Sequence, residues 1–101
     1  MSGLREFKES PIKQGEDEQI AYFFSSTPWG TAPSNMSAKI YDSASVDQSS
    51  TCLSGAGSVV GDVITTPVVK ALVVEETYRL EVKFTCSGNI FEAYCVIAAE
   101  K

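Results

Sequence analysis

Thr77-Tyr78-Arg79-Leu80-Glu81-Val82-Lys83-Phe84-Thr85-Cys86 decides the fold class. Tyr78, Leu80, Val82 and Phe84 alternate without a break with Arg79, Glu81, Lys83 and Thr85. Successive side chains of a strand point to opposite faces, so this order gives one dry face and one wet face. A helix would scatter the same four apolar residues around its circumference.

Ser87-Gly88-Asn89 follows, with Gly free to adopt positive φ and Asn tolerant of it. Ile90–Ala98 then alternates again, with Phe91, Ala93, Cys95 and Ile97 on one parity and Glu92, Tyr94, Val96 and Ala98 on the other. The pattern predicts a C-terminal antiparallel hairpin.

Upstream, Gln19–Phe24 reads as a strand with Ile20, Tyr22 and Phe24 on one side. Ser37–Tyr41 reads as another, with Ala38 and Ile40 inward. Ser25–Asn35, holding Pro28, Gly30 and Pro33, is a loop between them. Residues 43–51 are rich in Ser and Asp and form a weak edge strand or loop. Ser58–Thr65 and Val68–Leu72 are each a short strand, and Leu4–Glu9 is a candidate edge strand ended by Pro11. No segment carries an apolar period of 3.6. The expectation is all-β: an Ig-like antiparallel sandwich of about seven strands, with residues 1–101 as one domain. A chain of 101 residues can bury roughly 65% of its unfolded surface, enough for one core.

Composition narrows the chemistry. Histidine is absent, which removes Ser-His-Asp and Cys-His nucleophile systems and His-containing zinc sites. Cys52, Cys86 and Cys95 are too few for a four-thiolate metal site, and their odd number argues against a disulfide framework. Cys95 reads as a small buried hydrophobe and Cys86 as an exposed residue beside the turn. Gly55-Ala56-Gly57-Ser58-Val59-Val60-Gly61 brings its third glycine one position too late for a dinucleotide loop. Glu16-Asp17-Glu18 lacks calcium-loop spacing. The expectation is a non-enzyme with no cofactor, no metal and no catalytic residues.

Thirteen acids against 8 bases leave a net charge of −5, with the bases scattered singly, so no nucleic-acid partner is expected. No apolar run approaches the ~20 residues that cross a bilayer, and the first residues lack an apolar leader, so no membrane partner and no signal peptide are expected.

Three aromatics are candidates for partner binding. Trp29 lies in Thr27-Pro28-Trp29-Gly30-Thr31 and is either a rigid anchor for a partner or a plug at one end of the sandwich. Tyr41 and Tyr94 fall on the outward parity of their strands, where they would form an interface or be covered by loops. If all three lined one surface, a carbohydrate-binding or small-ligand module would be the rival reading. Tyr78, after Val74-Glu75-Glu76-Thr77, sits where a sandwich places a tyrosine whose hydroxyl ties a loop to the sheet.

The chain resembles a group of small bacteriophage and prophage tail-associated proteins, of the fibre–tail adaptor kind. The similarity runs through Leu72, Tyr78-Arg79-Leu80-Glu81-Val82, Thr85, Ser87-Gly88-Asn89 and Phe91–Ala98. Lys8-Glu9-Ser10-Pro11 through Gly15-Glu16, Ile20–Phe24 and Gly61–Pro67 are also similar. Glu75-Glu76 depart from it, standing where members of the group often place Gly. The resemblance implies an Ig-like sandwich without catalytic residues, made in the bacterial cytoplasm and incorporated into a virion. Its partners would be other protein chains, phage tail components or further copies of itself. Edge pairing is expected at Ser43–Ser50 and at the N-terminal strand.

Overall fold

The computed structural model describes residues 12–101, so the expected strand at Leu4–Glu9 lies outside the described residues. The hairpin forms as the alternation requires. β8 (Thr77–Cys86) and β9 (Asn89–Glu100) pair antiparallel from Thr77↔Ala98 to Cys86↔Asn89. Only Ser87 and Gly88 remain in the turn, at φ 52° and 80°. Two positive-φ residues match the right-handed twist of the strands they join.

Two more strands extend this sheet. β3 (Ser34–Tyr41) pairs antiparallel with β8, and β1 (Ile12–Gly15) pairs parallel with β9 at the opposite edge. The resulting order is β1-β9-β8-β3.

The second layer is divided. β2 (Phe23–Ser25), β6 (Val63–Thr65) and β5 (Ser58–Val60) make a three-stranded sheet in the order β2-β6-β5. β4 (Leu53–Ser54) and β7 (Val68–Val69) make a two-stranded one. The class is all-β, but the described residues hold nine strands in three sheets rather than about seven in two.

The differences have local causes. Ser58–Thr65 is two strands, because Gly61 takes φ 58° and turns the chain at Gly61-Asp62. Val68–Leu72 pairs only through Val68 and Val69, and Ala71 takes φ 55° just beyond. Gln19–Phe24 narrows to an isolated Ile20↔Val69 bridge and then β2. The stretch expected as a weak edge strand or loop contains a one-turn helix, α1 (Ser49–Cys52). Asp42 fixes the loop before it: its Oδ1 accepts from the Ala44 and Val46 amides, and its Oδ2 from Gln48 Nε2. These bonds hold the Asp42 carboxyl below its usual 3.8, the Val46 amide contributing most.

The core lies between the layers in two clusters. Tyr22, Ile40, Cys52, Val69, Leu72, Tyr78, Leu80, Cys95 and Ile97 pack the large sheet on β4 and β7. Phe24, Ile64, Val82, Phe84, Cys86 and Ala93 pack it on the three-stranded sheet. Cys86 is therefore buried rather than exposed, as are Cys52 and Cys95. The fully buried Gln14 ties β1 down. Its Nε2 donates to the Val69 and Glu18 carbonyls, and its Oε1 accepts the Tyr22 hydroxyl at 2.6 Å.

Candidate functional site

Trp29 is a plug. It packs edge-on against Phe24 at 5.8 Å and Phe84 at 5.6 Å, both inward-facing rings of the second core cluster. Its loop is closed by Ser26, whose carbonyl accepts from the Trp29 and Gly30 amides and whose hydroxyl donates to the Gly30 carbonyl. Asp62 holds the same loop from the β5–β6 turn, accepting from the Ser26 and Ala32 amides. The indole thus packs on the core while remaining partly exposed.

Tyr41 and Tyr94 share the opposite, wet face of the large sheet. The register explains why. Tyr41 pairs with Arg79, Glu81 pairs with Tyr94 and with Lys39, and Lys83 pairs with Ser37 and Glu92. All of these lie on the parity opposite to Leu80, Val82 and Phe84, which are buried. Tyr41 therefore stands directly opposite Arg79, and Tyr94 is diagonal to Arg79 on the third strand. Both tyrosines are half-buried.

Arg79 joins them. Its guanidinium carbon lies 4.0 Å from the centre of the Tyr94 ring, a cation–π contact. Its Nε is 2.8 Å from Glu81 Oε2, an ion pair whose angle does not align as a hydrogen bond. The guanidinium plane covers one face of Tyr94, so that face is closed to a stacked sugar ring. Two shallow depressions flank the cluster and share Tyr41 and Glu81 as walls. One, of about 110 Å³, is also lined by Ser37, Lys39, Lys83 and Glu92. The other, of about 290 Å³, is lined by Asp42, Ser45 and Arg79.

Sequence reasoning placed Tyr41 and Tyr94 on the wet parity but missed Arg79. The hairpin register carried the signal, because a two-residue turn at Ser87-Gly88 sets Arg79 diagonal to Tyr94. Among the described residues, no group of His, Cys, Asp or Glu converges as a metal site would. No helix among them is long and apolar enough to cross a membrane.

Tyr78 makes the tie expected of it. Its hydroxyl accepts the Val73 amide at 2.9 Å, and burial pushes its pKa up. The corner it holds contains Glu75 at φ 70°, a conformation that favours glycine.

Comparison with protein-family models, with curated proteins and with solved structures finds no match.

Proposed function

We propose that the chain is a non-enzymatic structural or protein-interaction module, and that its contact surface is the wet face of β3, β8 and β9. One observation carries this reading: Arg79 is held in place by Tyr94 and Glu81 beside Tyr41, on a shallow face rather than in a cleft. Tyrosine and arginine with few free rotamers are the side chains that contribute most to protein contacts. The depressions are open and broad, which suits a macromolecular partner better than a small substrate.

The carbohydrate-binding rival has less support. Trp29 is spent on the core, and one face of Tyr94 is taken by Arg79. The Ig-like reading of the fold is supported by the Tyr78–Val73 tie, whereas the parallel pairing of β1 with β9 departs from a purely antiparallel sandwich. The role in a prophage virion or tail assembly rests on the sequence resemblance.

The test is co-purification from a phage-bearing bacterial host, comparing the tagged chain with a Tyr41→Ser/Arg79→Gln variant whose folding is checked by circular dichroism. The proposal expects protein partners retained by the parent chain and lost by the variant. An identical set of proteins on both would sink it.

A further inference from the structure

We infer that residues 42–49 are a strap guarding the outer edge of β3, and that Asp42 holds it shut against pairing of this edge with the β3 of a second copy. β3 is the last strand of the four-stranded sheet, so among the described residues no further strand of that sheet lies on its outer side. Ile40 identifies that side. Its amide donates to Ser49 Oγ at 3.0 Å, and its carbonyl accepts the Gln48 amide at 2.8 Å. Backbone groups facing one side of a strand recur at every second residue, so Ala38 and Asp42 present theirs on the same side. Asp42 agrees: its amide donates to the Val46 carbonyl at 3.0 Å, and its carbonyl accepts the Ser45 amide at 2.9 Å. The Tyr41↔Asp47 bridge shows the returning limb running antiparallel to β3. The strap thus occupies the outward groups of Ile40 and Asp42. Ala38 remains, beside the irregularity between Ser34 and Ser37, and a single residue is too short to seat a strand.

The shape of the strap depends on one carboxylate. Asp42 Oδ1 accepts from the Ala44 and Val46 amides and Oδ2 from Gln48 Nε2, which ties the turn and the returning limb to the end of β3. Ser45 works against this at φ 63°, a left-handed conformation that a residue with a Cβ avoids. Two further ties, the Ser49 amide to Asp47 Oδ1 and the Ser43 hydroxyl to Glu76, do not reach the edge of β3. Without the Asp42 carboxylate, Ala44, Val46 and Gln48 lose their common acceptor and the strain at Ser45 opens the turn. The bared edge is then Ala38, Ile40 and Asp42, each with an N–H and a C=O. Two such edges are self-complementary when antiparallel. With the twofold at Ile40, that residue exchanges both bonds with its counterpart, and Ala38 faces the counterpart of Asp42. Lys39 then stands opposite a tyrosine, not opposite another Lys39. Covering an edge with a loop is a general defence against this kind of association.

The test compares the full chain with Asp42→Ala by amide hydrogen exchange in dilute solution and by sedimentation equilibrium up to about 1 mM. In the variant the Ile40 and Gln48 amides should exchange about tenfold faster, with Leu80 and Cys95 on the inner strands unchanged. The variant should also self-associate about tenfold more tightly than the parent. Adding Ala38→Pro removes an outward N–H without touching the ladder to β8, and should restore the parent's state. Ser50→Ala should change neither readout. Unchanged exchange at Ile40 and Gln48, faster exchange without tighter association, or association that survives Ala38→Pro would each overturn the inference. Where circular dichroism shows that Asp42→Ala does not fold, Asp42→Asn, which keeps one acceptor oxygen, carries the same readouts.

Discussion

At the scale of single residues, polar groups sealed in the core are the most sensitive points. Tyr22 is buried, and its hydroxyl donates to Gln14, which no water reaches. Its pKa is pushed up to about 12, chiefly by burial, with Cys95 and Glu18 adding repulsion of the phenolate. The unfolded chain releases this proton near 10, the folded chain near 12. Stability from this group is thus full below pH ~10 and falls as pH rises from 10 to 12. Tyr22→Phe leaves Gln14 Oε1 without its donor, so it should cost about 1–3 kcal/mol at neutral pH. The same variant should flatten the alkaline loss, with Tyr78 keeping part of the slope. Urea melts of both proteins at pH 8, 10 and 11.5 measure this; equal alkaline slopes would refute the assignment to Tyr22. Ser87 is strained in the opposite sense, holding φ 52° in a turn where Asn-Gly is preferred. Ser87→Asn should raise stability by about 0.5–1 kcal/mol, read as a higher urea midpoint with an unchanged slope.

At the scale of elements, legibility followed distance along the chain. β8 and β9 were readable because alternation and turn lie within one continuous stretch. The parallel pairing of β1 with β9 was not, because it joins the start of the described chain to its end and leaves no local signature. α1 escaped because four residues cannot display a helical period, and its loop is set by the side chain of Asp42 rather than by apolar spacing. Gly57 shows the same limit. Its stretch shows in sequence only that it lacks dinucleotide-loop spacing, yet Gly57 sits at φ 69°, where an added Cβ would meet Met36 Cε at 2.5 Å and the Thr65 carbonyl at 2.6 Å. The carbonyl belongs to β6 and cannot yield as a side chain can. Gly57→Ala should therefore cost about 2–4 kcal/mol, from left-handed strain and overpacking together. Thermal melting checks this, and a loss below ~0.5 kcal/mol would contradict the close packing of β5 and β6 on Met36.

At the scale of the whole molecule, the two faces of the large sheet have separate duties. The dry face holds the layers together, with Trp29, Phe24 and Phe84 closing one end. The wet face gathers Tyr41, Arg79 and Tyr94 from three strands. Half of the candidate site was visible as parity in the sequence. The other half needed the register, since only pairing shows which residues become neighbours. The division predicts opposite phenotypes. Trp29→Ala should lower stability by about 2–3 kcal/mol, because its indole fills an end of the core. Arg79→Gln should change stability by less than ~1 kcal/mol, as a surface pair does, and act on partner binding instead. Equilibrium unfolding of the two variants separates them, and a larger loss for Arg79→Gln would contradict the division.

Site-specific photo-cross-linking in a phage-bearing host addresses the contact face with the least intervening inference. A photoreactive residue is placed at Tyr41, on the wet face of the large sheet, or at Ser58, on the three-stranded sheet. Protein adducts that form at position 41 and are lost with Arg79→Gln, with few at position 58, are the expected result. Adducts at position 58 in equal or greater yield, or none at position 41, would contradict the assignment of this face as the surface that meets other chains.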